Sequence, residues 1–368
     1  MPIYADHAAT TKLDPAALKA MLPFLTDVYA NASQPYSFAR EARRALREAR
    51  AEIATLIGAL PEEILFTSGG TEANNWAIKG ISALKPVCVS AIEHHSVLRA
   101  AKAVADTGTP LFLLPVTEDG TVTPGIFKNA LSVSPHLVSV MYANNEIGTV
   151  QPIGALCDMA HKAGALFHTD AVQAVGHLPI DVHALGVDML SASAHKFGGP
   201  KGIGFLYRKK GTPLSPLLNG GEQEYGMRAG TENIAAIVGM AKALRIAYEE
   251  MQATVAHLEM LETLLLSHLN NANVSYLRLG GVRHLPGLIS LSFAGQSGDE
   301  LVYRLDQRGI VASAGAACDL TRGEPSHVLT AIGLDEAYAR GTIRISLGKE
   351  NTGEDVRCIA AALKDCLS

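Results

Sequence analysis

The sequence predicts an α/β fold: a mostly parallel central sheet in a large domain, followed by a smaller α+β domain. Three observations carry this. Short apolar runs alternate with helical stretches between about residues 64 and 208, which implies strands joined by crossovers and covered on both faces. Polar clusters sit at the carboxyl ends of several runs (Glu93-His94-His95, Asn144-Asn145-Glu146, Thr169-Asp170), where open α/β sheets gather ligands. One long helical stretch without proline, residues 233–271, then leads into a second set of strands and helices. The chain has 368 residues, 48% of them hydrophobic and 18% charged, which suits a sizeable core and more than one domain.

The elements follow in order. After a polar lead, residues 13–26 are expected to be helical, with Asp14 as cap and Pro15 in the first turn. Residues 29–39 read as loop. Residues 40–57 read as an amphipathic helix with Ala45, Ala49 and Ile53 on one face. A short strand at 64–66 runs into Ser68-Gly69-Gly70-Thr71 and a further helix. Strands are expected at 86–91, 111–116, 136–142, 165–169, 187–190 and 203–207, with helices at 97–105 and 153–162. Beyond the long helix, 288–293 and 341–347 read as strands, and 299–308 and 355–367 as helices.

Composition excludes several functions. The formal net charge is −5 and no basic stripe occurs, so no electrostatic footprint for nucleic acid is present. The start, Met1-Pro2-Ile3-Tyr4-Ala5-Asp6, lacks the pattern of a signal peptide, and no apolar run spans a bilayer. Both points favour a cytoplasmic location. The five cysteines are odd in number and form no Cys-x-x-Cys pair, so neither a disulfide framework nor a metal site is expected. Cys88 reads as a buried strand residue. Cys358 and Cys366 read as packing residues on one helical face. Cys318 stands apart, in a small, glycine-punctuated segment (312–325) expected to be mobile, where a thiol can act as thiolate.

Four positions carry chemistry. Lys196 follows a strand and precedes a glycine-rich turn, which suits a Schiff-base amine but also a surface hairpin. Ser68-Gly69-Gly70-Thr71 lies between strand and helix, where backbone N–H groups meet an anion, or simply turn tightly. Asp170 ends an apolar strand, either as partner of a buried cation such as a pyridinium nitrogen or as a helix N-cap. His94 suits stacking on a flat ring or moving a proton, whereas His95 reads as a surface histidine.

Together, Ala8-Ala9-Thr10-Thr11, Thr67–Asn75, Glu93-His94, Asn144-Asn145-Glu146-Ile147-Gly148, Thr169-Asp170-Ala171-Val172-Gln173, Ser193-Ala194-His195-Lys196, Arg228-Ala229-Gly230-Thr231-Glu232-Asn233, Cys318, Glu324-Pro325-Ser326-His327 and Ile343-Arg344-Ile345-Ser346 resemble a known family over nearly the whole chain. The resemblance is to the cysteine desulfurases of the NifS/IscS type, pyridoxal 5′-phosphate enzymes among the class V aminotransferases. It implies the type I fold of PLP-dependent transferases. It also implies an N-terminal segment (1–12) packing with the small domain, a large cofactor domain (13–250) and a small domain (251–368) carrying the cysteine loop.

The same resemblance implies the site. Lys196 would hold the cofactor covalently and Asp170 would pair with its ring nitrogen. Asn145 and Gln173 would lie near the ring hydroxyl, and His94 would stack on the ring and handle protons. Gly70, Thr71, Ser193 and His195 would hold the phosphate, with Thr231 reaching in from a second subunit. Arg344 would clamp the substrate carboxylate, and Asn31 would border the substrate. Cys318 would take the sulfur of L-cysteine as a persulfide, leave L-alanine, and pass the sulfur to an acceptor protein. The alternatives are a selenocysteine lyase, an aminotransferase, or an idle scaffold homologue. His7, Ala32, Tyr36 and Ala39 depart from the family's pattern.

Overall fold

The computed structural model describes residues 2–81, 84–314 and 326–367. Among these, the central sheet has seven strands in the order Ile64–Thr67, Gly204–Arg208, Met189–Ser193, Leu166–Asp170, Leu137–Ser139, Val87–Ser90 and Leu111–Leu114. The strands from Met189–Ser193 to Leu111–Leu114 run parallel, and Gly204–Arg208 runs antiparallel to both neighbours. Val87–Ser90 and Met189–Ser193 are buried throughout, as strands covered on both faces must be. The carboxyl ends of the parallel strands therefore bring residues 91–95, 140–146, 170–173 and 193–196 to one edge.

A polar residue sits at the centre of this sheet. The fully buried His168 bridges both neighbouring strands, with Nδ1 2.8 Å from Ser139 Oγ and Nε2 3.0 Å from Ser191 Oγ. Burial pushes the imidazole down to about 3, so it is neutral, and the serine hydroxyls serve as donor and acceptor.

A second, antiparallel sheet is formed by Leu277–Leu279, Leu288–Ser292 and Thr342–Ser346. The strand Ile3–Tyr4 pairs in parallel with Ile310–Val311 beside it. The helix Ile234–Asn271 serves both cores. Its first half packs Ile237, Met240 and Leu244 under the large sheet, and its second half packs Leu258, Leu261, Leu265 and Leu269 under the small one. Asn233 caps it by accepting from Ala236 N–H at 3.2 Å.

The expected helix over 13–26 is two helices, Pro15–Met21 and Pro23–Thr26, because Pro23 has no N–H to continue the ladder. Asp14 caps the first as expected, accepting from Ala16 N–H at 2.8 Å. The helix Pro124–Ala130 and the strand Leu277–Leu279 were not expected, being too short to show a period. Cys88 and Cys366 are buried, but Cys358 is only half-buried and its Sγ faces Glu354 Oε1 at 3.7 Å. No helix among the described residues is long and apolar enough to cross a membrane.

One buried ion pair fixes the turn that precedes residues 228–232. Arg50 donates from Nη1 and Nη2 to Glu224 at 2.8 and 2.6 Å, and Glu224 also accepts from Phe66 N–H at 2.8 Å. The guanidinium lies 4.4 Å from the Phe66 ring centre. Glu224 and Tyr225 both adopt positive φ, 47° and 60°, which costs non-glycine residues energy that the pair must offset. Arg50→Met leaves a buried carboxylate alone, and should lower stability by about 3–5 kcal/mol in urea unfolding.

His168 gives a pH dependence. Its folded value lies below the unfolded one, so the unfolded chain binds more protons between them. Its contribution is fully present above the unfolded value of about 6.5 and is lost as pH falls toward about 3. The urea midpoint should therefore fall as pH is lowered from 6.5 to 4, and His168→Gln should flatten that slope.

Candidate active site

Lys196 sits in the hairpin between Met189–Ser193 and Gly204–Arg208, at the edge where the parallel strands end. This hairpin packs against the start of the helix Gly70–Lys79. The approach is close enough that a Cβ on Gly204 would lie 2.8 Å from Gly69 Cα, and one on Gly70 would lie 2.5 Å from Val172 Cγ2. Only glycine lets the helix N-terminus, with its outward N–H groups, come this near Ser193 and His195.

A cavity of about 330 Å³ opens here, within the range of small-molecule sites. It is lined by Gly70, Thr71, His94, Asn145, Asp170, Gln173, Ser193, His195, Lys196 and Arg344, so one site gathers these predicted residues. Asn74, His95, Ser96, Glu146 and His327 line it as well.

The N-terminal segment closes one side. Lys196 Nζ donates to the carbonyls of Ala8 and Ala9 at 2.6 and 2.8 Å. Gln173 Nε2 donates to the same Ala8 carbonyl at 2.9 Å. Thr11 then bonds His195 and Gly198 at either side of the lysine, and His195 Nδ1 lies 3.1 Å from Thr10 Oγ1.

Opposite lies a connected polar chain. Asn74 Nδ2 donates to Asp170 Oδ2 at 2.6 Å and to Ser96 Oγ at 2.8 Å. Ser96 Oγ lies 2.7 Å from His94 Nδ1, which also accepts from Ser96 N–H at 3.1 Å. His94 thus carries its neutral-form proton on Nε2. Asp170 Oδ1 accepts from Val172 N–H at 3.0 Å, so the carboxylate serves its turn and Asn74 together. Burial lowers the His94 value, with Asp170 opposing and Lys196 assisting.

Behind this chain, Glu93 is fully buried. It accepts from Ser90 Oγ at 2.6 Å and Met141 N–H at 2.5 Å. Burial, reinforced by the charge of Asp170, raises its pKa well above the usual carboxylate range, so it stays protonated.

Arg344 is buried and oriented by two bonds, Nη1 to Asn145 O and Nη2 to Asp6 Oδ1, both at 2.7 Å. Its buried Nε finds no partner among the described residues. A guanidinium so held suits a carboxylate ligand.

Some expected residues lie elsewhere. Asn31 is not among the cavity-lining residues; its side chain accepts from Ser33 N–H at 2.9 Å. Thr231 is exposed and off the cavity of its own chain. Ala32 and Ala39 are buried, and Tyr36 is exposed. His7 packs edge-on to Tyr4 at 4.9 Å and fills the space beside Gly348. His95, expected at the surface, lines the cavity instead. Cys318 lies outside the described residues. Cys88 and Cys157 are buried thiols pushed up to about 11 and about 12, unsuited to act as thiolates.

Asn74 and Ser96 escaped sequence reasoning because an amide and a hydroxyl inside helices carry no chemical signature of their own. Asn74 stands only four residues beyond Gly70, on the helix that opens beside the Lys196 hairpin, and that placement was the available signal.

Residues 3–359 match the aminotransferase class-V family. A cysteine desulfurase IscS from Dictyoglomus turgidum is 46% identical over 361 residues, covering 96% of this chain and 91% of that protein. Among solved structures, a NifS-like protein superposes with a TM-score of 0.93 at 36% identity, covering 100% of this chain and 99% of its own. SspA in complex with cysteine gives a TM-score of 0.84 at 36% identity, covering 95% and 100%.

Burial, with Lys196 and Lys201 nearby, lowers His195 to about 4 in the ligand-free chain. An anion at the adjoining helix N-terminus should raise that value. Imidazole NMR of the cofactor-free protein should show His195 neutral at pH 6, and added inorganic phosphate should shift its titration upward.

Proposed function

The chain belongs to the aminotransferase class-V family, and we propose that it is a cysteine desulfurase: it takes sulfur from L-cysteine, releases L-alanine and passes the sulfur through the thiol of Cys318 to an acceptor. The observation that carries this reading is the meeting of an amine, a carboxylate, a neutral imidazole and an anion cradle in one cavity of about 330 Å³.

Pyridoxal 5′-phosphate fits that donor set. Gly70, Thr71, Ser193 and His195 would hold its phosphate, Asp170 its ring nitrogen, Asn145 and Gln173 the neighbourhood of its hydroxyl, His94 its ring face, and Lys196 its aldehyde carbon. When bound, the cofactor supplies an electron sink for negative charge developing at the substrate α-carbon.

The residues of this chain do the rest. Arg344, already turned by Asp6 and Asn145, binds the amino-acid carboxylate by exchanging its Asp6 bond for a new partner. Lys196, steered by the Ala8 and Ala9 carbonyls, removes the α-proton once its amine is released. His94 holds a proton on Nε2, facing away from the Ser96 bond, and can deliver it. The Asn74 bond keeps the Asp170 carboxylate fixed while the opposite wall changes protonation. Cys318 is assigned as sulfur acceptor from the likeness to the cysteine desulfurases, whose chemistry on L-cysteine needs a reactive thiol.

A homodimer is part of the same reading. Leu22, Leu25, Tyr29, Tyr36 and Phe38 are exposed apolar residues close in sequence, Tyr29 and Phe38 pack edge-on at 5.3 Å, and a second copy would cover this segment. Thr231, off its own cavity, would complete the partner's cradle, and Asn31 would meet substrate only across that interface. The sulfur acceptor is proposed to be a protein thiol.

The test is direct. A purified preparation should be yellow, lose that colour on borohydride reduction, and carry the added mass on the peptide containing Lys196. It should release alanine and transferable sulfur from L-cysteine. Cys318→Ala should abolish sulfur transfer while retaining the colour, and Lys196→Ala should lose the borohydride-fixed mass. A colourless protein, or transamination without sulfur release, overturns the assignment.

A further inference from the structure

The bonds that run from His94 to Asp170 each have a defined direction. Ser96 N–H points at His94 Nδ1 at 3.1 Å, so that nitrogen is an acceptor. Ser96 Oγ lies 2.7 Å from the same nitrogen and must supply its own hydrogen to it. The lone pairs of that oxygen are left for the donor on its other side, Asn74 Nδ2, at 2.8 Å. The second hydrogen of the same amide goes to Asp170 Oδ2 at 2.6 Å. The amide is not turned over, because its oxygen would then face the carboxylate. Its own Oδ1 is buried without a hydrogen-bond partner among the described residues, so these two bonds are what orient it. Asn74 and Ser96 are both buried.

Two hydrogens therefore converge on one lone pair of His94. A proton arriving at Nδ1 would cost the Ser96 N–H its acceptor and force the hydroxyl to swing its hydrogen away. Other groups act on the same ring. Burial opposes its protonation most, Asp170 at the neighbouring strand end favours it, and Lys196, His95 and His327 oppose it. A change at Ser96 alone leaves all of those charged groups in place.

We propose that Ser96 is the positioning residue of His94: its hydroxyl, aimed by Asn74, keeps hydrogen off Nδ1 and leaves the one hydrogen of the ring on Nε2. Asn74 serves both ends of the arrangement, aiming the hydroxyl with one hydrogen and holding Asp170 with the other. The consequence for catalysis rests on the desulfurase reading above, in which His94 faces a cofactor ring. An imidazolium would be repelled by a protonated pyridine ring stacked on it, so an uncharged His94 suits that cofactor. The hydrogen-bond part of the proposal is independent of that reading.

The experiment reads the imidazole directly, in the cofactor-free protein. Long-range proton–nitrogen NMR spectra follow the tautomer and titration of His94, whose signals are those lost in His94→Gln. Wild type, Ser96→Ala, Ser96→Thr, Asn74→Leu and the Ser96→Ala/Asn74→Leu double variant are compared. Wild type should show the hydrogen on Nε2. Ser96→Ala should raise the titration by about 1 pH unit, the worth of one neutral hydrogen bond, and Ser96→Thr, which keeps the hydroxyl, by less than about 0.3. Asn74→Leu should raise it too, and the double variant should shift it by less than the sum of the two, because both act through one hydroxyl. In the cofactor-loaded enzyme, the acid limb of kcat/KM for alanine release from L-cysteine should move to higher pH with Ser96→Ala, following the NMR titration. A wild-type ring with its hydrogen on Nδ1, an unmoved titration in Ser96→Ala, full additivity in the double variant, or an acid limb that stays while the titration moves overturns the proposal. If Ser96→Thr fails to fold, the double variant decides. A wild type releasing no alanine from L-cysteine would instead remove the desulfurase reading and leave the NMR result standing.

Discussion

The Lys196 amine is held by two backbone carbonyls, those of Ala8 and Ala9, and much of the structure follows from that contact. The segment offering those carbonyls starts at the small sheet, where Ile3 and Ala5 N–H groups donate to Gly309 and Val311. It passes Arg344 through Asp6, crosses the mouth of the cavity, and ends on the lysine hairpin, where Asp14 N–H donates to Gly198. Each bond is ordinary in strength, and a typical one nets only about 0.5–1.5 kcal/mol. Their arrangement matters more: the residue that orients a carboxylate and the one that supplies the amine hang on the same strap.

Charge in the site is sorted by burial and not by residue type. Glu93 and Asp170 are neighbouring carboxyls, yet Glu93 is driven to its neutral form by complete burial, with the charge of Asp170 adding to that push. Asp170 is supplied with N–H donors from Asn74 and Val172. The histidines are sorted likewise. Desolvation lowers both His94 and His195, the latter to about 4.

The large sheet was legible because its strands are short apolar runs and its helices show a clear period. Helix 153–162 was read to the residue. Lys196 was legible as a candidate only in company: a lysine in a hairpin has no signature until a glycine turn, an aspartate and a histidine at neighbouring strand ends point to the same edge, and the structure brings these residues to one cavity. What stayed hidden was relation across the chain. Asn74 joining Asp170 to Ser96, Glu146 receiving Ser326, and His95 meeting His327 connect residues 22 to 232 positions apart, and no local pattern encodes such pairings. The neighbour of His95 in space, His327, is likewise supplied by a segment far downstream. The break at Pro23 was legible in principle, since a proline within a helical pattern removes a donor.

The helix Ile234–Asn271 spans 38 residues, about 57 Å at 1.5 Å per residue, and is unbroken from one hydrophobic core to the other. A flexible tether would let either core melt while its neighbour persisted. A continuous helix does not, because fraying under the small sheet strips hydrogen bonds from the same rod that roofs the large one. Denaturation should therefore be a single concerted event, and the amount of intact enzyme in a stressed cell would be governed by the weaker of the two cores.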